Sequence, residues 1–136
     1  MRTLACLVLL ATSAVAAPPA GWTPSEWVNA STIELATQSP GEEVHWFPVW
    51  LAVIDDQAYV RLGSRAAGRF DANVTKPFIG VRIAGKTFPR VRGVVVPEMA
   101  DKVAGIMASK YWTDVAVRYM THPYTLRLDP EPSATP

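Results

Sequence analysis

The chain has 136 residues, 49% of them hydrophobic and 18% charged, with 13 Lys+Arg against 12 Asp+Glu. That size suits one globular domain with its own core, and the near-neutral balance argues against a nucleic-acid or anionic-membrane partner held by bulk charge. The single cysteine, Cys6, excludes an intrachain disulfide, and no His/Asp/Glu cluster has metal-ligand spacing.

The first residues read as a secretory signal peptide, 1–16. Arg2 supplies a positive start, and Leu4 to Leu10 is an apolar run too short for a permanent membrane anchor. Ala14 to Ala16 is a small-residue cleavage signature, with cutting after Ala16 or Ala17. Removing 16 residues leaves 120, with 12 Lys+Arg, 12 Asp+Glu and no cysteine. The expectation is an exported protein, periplasmic or secreted, with no integral membrane segment and no twin-arginine signal.

Residues 17–30 form an N-terminal extension. In it "TPSEW" reads as a short helix, with Thr23 as cap, Pro24 at the first position and Glu26 completing a capping box. "STIELAT" (31–37) alternates as a strand, and Pro40-Gly41 turns the chain. "VHWFPVWLAVI" (44–54) is too β-branched and aromatic for a helix, and Pro48 within it marks a bulge or an edge. Asp55-Asp56 leads into "AYVRL", and Ser64 is the expected N-cap of a helix over 64–73. Pro77 breaks the chain, and "FIGVRIA" and "KTFPRVRGVVV" form a hairpin across Ala84-Gly85. The clearest helix is 97–112, where Met99, Val103, Ile106 and Met107 share one face. Tyr111, Trp112 and Tyr119 read as packing against the sheet. "YTLRL" (124–128) is a last strand, and 130–136 a disordered tail. Six strands with peripheral helices predict a mainly β fold, a small antiparallel barrel rather than a doubly wound parallel sheet.

Three arginines, Arg61, Arg65 and Arg69, recur every four residues across the strand-to-helix junction. Arg65 and Arg69 share a helix face, free backbone N–H groups at Ser64 favour an anion, and guanidinium forks match phosphate oxygens. The alternative is a solvated face in which Arg65 and Arg69 pair with Asp71, Glu42 or Glu43. In the aromatic run, alternation puts Trp46 and Trp50 on one side, a surface for a flat ring or a piece of core. The two histidines, His45 and His122, lie 77 positions apart and suggest no site.

The series "IELAT…PVWLAVIDDQAYVRLGSRAAGRFDAN…KTFPRVRG…ASKYW…TLRLDP" resembles domain-of-unknown-function family 2255, within the flavin and deazaflavin split β-barrel group that includes pyridoxamine-phosphate-oxidase-like proteins. The likeness covers residues 31–130, and the split barrel itself 31–129. It implies a six-stranded antiparallel split β-barrel, an FMN or, less readily, a deazaflavin cofactor, oxidoreductase chemistry on an unidentified small molecule, and a homodimer. By that resemblance Arg61, Ser64, Arg65 and Arg69 would contact the cofactor's phosphate and Trp50 its ring. The first-strand loop departs from the group, since "QSPGEEV" offers Glu42 and Glu43 where relatives carry basic residues. The rival expectation is therefore a non-catalytic exported ligand-binding module that has lost the cofactor.

Overall fold

The computed structural model describes residues 17–110 and 122–132. The expected signal peptide, the packing of Tyr111, Trp112 and Tyr119, and the end of the tail lie outside the described residues. Strands β1 (Thr32–Thr37), β2 (His45–Ile54), β3 (Gln57–Leu62), β4 (Phe78–Ile83), β5 (Lys86–Val95) and β6 (Tyr124–Pro130) pair antiparallel in the closed order β1-β2-β3-β6-β5-β4. Helix α1 (Ser64–Ala72) follows β3, and α2 (Ala100–Lys110) precedes β6. The fold is the split β-barrel with peripheral helices that the strand count and the family likeness imply.

Strand alternation builds two apolar layers. Inward-facing Ile33, Leu35, Leu51, Val60, Val81, Val91 and Leu126 fill the barrel. The opposite face of β2 and β3 is not left to water. Ala52, Ile54 and Tyr59 pack beneath Val103 and Met107 of α2, with Met99 and Ile106 at the margin. This double coverage is why 44–54 reads as a continuous apolar run instead of alternating.

The N-terminal extension belongs to this core. Trp22 stacks edge-on against both Trp27 and Phe88, with ring centroids 5.0 Å apart in each pair, and both tryptophans are buried. Its expected helix is one 3-10 turn, Pro24–Trp27. The Thr23 hydroxyl donates to the Glu26 carboxylate at 2.9 Å rather than serving a backbone N–H, so no capping box forms.

Both tight hairpins use two residues in the left-handed region, Asp55 and Asp56 (φ 50° and 60°) and Ala84 and Gly85 (φ 52° and 73°). That geometry matches the right-handed twist of the flanking strands. Three expected boundaries shift. Gly63, not Ser64, is the N-cap of α1, and Ser64 is its first residue. The helix expected over 97–112 starts as a 3-10 turn at Pro97–Met99 before α2. β6 runs through Pro130, and the Glu131 N–H still reaches the Arg90 carbonyl at 3.3 Å, so the chain leaves the barrel later than expected.

Asn73, buried just past α1, ties three segments together. Its carbonyl accepts from the Gln38 N–H (3.0 Å) and its amide donates to the Phe78 carbonyl (2.7 Å). Beyond it the Lys76-Pro77 bond is cis. Gly93 of β5 lies against α1, where an added Cβ would sit 2.9 Å from Phe70 and 3.3 Å from Leu126. Overpacking of this kind costs ~1–3 kcal/mol, so Gly93→Ala should lower the unfolding free energy by about that much. Gly68, mid-α1, has open space around it, and Gly68→Ala should add ~0.5–1 kcal/mol. Urea denaturation of both variants checks the contrast, which fails if both shift the same way.

Asp71 accepts from Lys76 (3.0 Å) and from the Tyr124 hydroxyl (2.9 Å). The Lys76 ammonium first, and the hydroxyl second, hold its carboxyl below the ordinary value, while the carboxylate pushes the phenol up. A carboxylate depressed on folding adds stability above its unfolded pKa and loses it as pH falls through the folded value. The advantage of wild type over Asp71→Asn should stay level down to about pH 5 and shrink below about pH 4. Urea titrations across that range test this, and an advantage that grows on acidification refutes it.

Candidate functional site

β2 lies against β1 from His45 to Trp50, but it pairs with β3 only from Leu51 to Ile54. Beyond Val60, β3 keeps its β6 partners and then passes through Gly63 into α1. The two strands part, and among the described residues no strand pairs with His45–Val49 of β2 on its side away from β1, the side that faces α1. The Leu51 N–H donates to the Ser31 carbonyl. Two-residue alternation then turns the N–H groups of 49, 47 and 45 toward β1 and those of 46, 48 and 50 away from it. Pro48, which has no N–H, falls on the side away from β1. Of the two sequence expectations for it, the edge is the one that holds, because β1 and β2 stay in register through it. At the parting point Lys110 of α2 donates to the carbonyls of Ala30 and Leu51, the latter at 3.2 Å. Burial pushes its pKa down.

Between that side of β2 and α1 is a cavity of about 710 Å³. The β2 wall is His45, Phe47, Pro48, Val49 and Trp50. The other wall is Arg61 of β3, the α1 start (Gly63, Ser64, Arg65, Ala66 and Arg69) and His122. The volume lies within the ~300–1,000 Å³ of small-molecule sites. All five residues singled out from the sequence, Trp50, Arg61, Ser64, Arg65 and Arg69, line this one space.

Its electrostatics are one-sided. Among the described residues, no Asp or Glu lines the cavity. The acidic groups expected beside the arginines are elsewhere: Asp71 is taken by Lys76 and Tyr124, and Glu42 and Glu43 sit outside the lining. Glu34, Asp129 and Glu131 pair with Arg82, Arg127 and Arg90. Among the described residues no ion pair involves Arg61, Arg65 or Arg69, so the solvated-face pairings do not form there. The first backbone bond of α1 is the Ala67 N–H to the Gly63 carbonyl (2.8 Å). The preceding N–H groups therefore have no intrahelical acceptor, and the first turn has no acidic residue.

The sequence reading missed the histidines. β6 brings His122 to the cavity because Thr125, three residues on, pairs with Arg61 across β3 and β6. Arg61 Nη2 lies 3.0 Å from His122 Nδ1. His45 stacks on Phe47, with centroids 6.0 Å apart. No local motif links positions 45 and 122, and only the strand pairing could have shown it. The site thus joins an apolar and aromatic wall, a cationic end and two imidazoles.

No protein-family model matches the chain, and no curated protein matches it in sequence. Solved structures match in fold. HutZ, the heme storage protein from Vibrio cholerae, superposes with TM-score 0.58 at 15% identity, over 79% of this chain and 87% of that one. A structure described as a domain-swapped dimer gives TM-score 0.55 at 9% identity, over 73% and 79%. An F420-H2 dependent reductase, FDR-A, gives 0.51 at 10% identity, over 74% and 95%. At these identities the likeness is one of fold: the chain shares its barrel with these split-barrel structures.

Proposed function

We propose that the cavity binds a flat aromatic cofactor with an anionic tail, FMN foremost and a deazaflavin second, and that the protein is an exported oxidoreductase of the split-barrel kind. The observation that carries this reading is the set of three guanidiniums without a described carboxylate partner, beside the aromatic wall of β2. Arg61, Arg65, Arg69 and the α1 start would hold a phosphate, and Trp50 with Phe47 and Val49 would flank the ring. Bound flavin would supply the hydride chemistry, and the protein position, charge and exclusion of water. The F420-H2 dependent reductase among the fold relatives supports a deazaflavin as much as a flavin. Membership of domain family 2255 belongs to the same reading and rests on the resemblance over 31–130.

A second reading is favoured by the two imidazoles. A non-catalytic module could hold heme, with its carboxylates on the arginines and a histidine toward the iron. The heme storage protein among the fold relatives points the same way.

A charge-assisted hydrogen bond contributes ~1.5–3 kcal/mol, about tenfold to a hundredfold in affinity. Arg65→Ala should therefore weaken FMN binding at least tenfold and leave riboflavin, which lacks the phosphate, nearly unchanged. Titration calorimetry with both ligands measures this. Equal losses would place Arg65 in the fold and not at the phosphate. Wild-type protein that takes hemin, with a Soret band, but neither flavin would move the conclusion to the second reading.

The side of His45–Val49 that no described strand pairs with, and the half-buried Trp46 and Phe47, support a homodimer that completes the site from a second copy. Light scattering of the exported protein should give twice the chain mass, and intact mass should place the N-terminus at Ala17 or Pro18. A monomer at micromolar concentration, or an uncut chain, refutes the corresponding half.

A further inference from the structure

We propose that His122 is the positioning residue for Arg61, holding its guanidinium in the cavity wall with a neutral imidazole and so leaving its charge intact for an anion. This rests on the cationic end of the site described above. The chemistry of the pair is restrictive. A guanidinium donates only and stays protonated throughout the physiological range. At 3.0 Å the imidazole Nδ1 must therefore be the acceptor, unprotonated, with the ring proton on Nε2.

Protein arginines are commonly oriented by a carboxylate, and this chain does so at Arg82, Arg90 and Arg127 with Glu34, Glu131 and Asp129. Each of those pairs cancels the charge it fixes. At Arg61 a neutral ring fixes the fork and cancels nothing. Among the described residues, the other charged or titratable groups lining the cavity are Arg65 and Arg69 on α1 and His45 on β2.

Five forms of the mature chain test the assignment: wild type, His122→Ala, His122→Asn, Arg61→Ala and the Arg61→Ala/His122→Ala double variant. His122→Ala should weaken FMN about three- to tenfold, the value of one hydrogen bond, without moving riboflavin. His122→Asn, whose Oδ1 can accept near the place of Nδ1, should recover most of the loss. In the Arg61→Ala background His122→Ala should cost nothing further, since the residue acts through the arginine. Nitrogen-15 NMR of the ligand-free protein should show the Nε2–H tautomer at pH 7.5. The titration midpoint should rise in Arg61→Ala, which removes both a donor to the neutral ring and a neighbouring cation. A full loss that persists without Arg61, an equal loss of riboflavin, or an Nδ1–H tautomer overturns the proposal. If wild type does not bind FMN, the flavin reading fails and inorganic phosphate decides this one. A phosphate-dependent shift of the His122 signal that disappears in Arg61→Ala supports it, and no shift overturns it.

Discussion

β2 is ten residues long and β3 six, and they pair over only four residue pairs, Leu51–Val60 to Ile54–Gln57, because Arg61 and Leu62 leave β2 while staying paired with β6. The surplus of β2 must lie beyond the reach of β3. The Asp55-Asp56 turn leaves no slack to slide the register, because a one-residue slip would turn Leu51 and Val60 out of the barrel. β1 holds the surplus on one side, and α1 crosses the gap on the other. The cavity is what remains between them. Its walls are thus set by the point at which the two strands part, and only then by the side chains that line it.

The alternation rule made the fold legible. Each strand was expected within a few residues of its place, because one face of each had to be apolar. The candidate residues were legible for a related reason: Arg61, Arg65 and Arg69 straddle a strand-to-helix junction, and a junction brings a strand end and a helix start together whatever the rest of the barrel does. What stayed hidden depends on long-range pairing. His122 reaches Arg61 through the β3–β6 register, and Trp22 and Trp27 enter the core from a segment with no periodicity of its own. The N-cap was misplaced by one residue because Ser64 is the better capping side chain, yet Gly63 takes the extended conformation (φ −67°, ψ 174°) that ends the strand. The arginines' partners could not be read at all. Nearby carboxylates in sequence, Asp71 above all, are engaged by Lys76 and Tyr124 in space.

That arrangement has an energetic meaning. Like charges gathered without counter-ions cost stability, and a fold keeps such a cluster only where something outside the chain compensates it. The described carboxylates all lie outside the cavity lining, and Asp71, Glu34, Asp129 and Glu131 are each engaged elsewhere on the barrel. The first turn of α1, which has no acidic residue, borders the same cavity, and a helix N-terminus adds to a positive field there.

Pro48 has a consequence of another kind. Segments of about six residues with high β propensity, low charge and no proline are those that stack into cross-β aggregates. Any such window holding Trp46 or Phe47 also holds either Pro48 or both Glu42 and Glu43. The following window, "VWLAVI" (49–54), holds no such interruption. It is also the part that the folded protein covers, with β3 beside Leu51–Ile54 and α2 packed over Ala52 and Ile54. The half of β2 that β3 does not pair with is the half with gatekeepers against self-association. The acidic pair Glu42 and Glu43 therefore has a use on this barrel that involves no ligand: it guards one end of an aggregation-prone stretch.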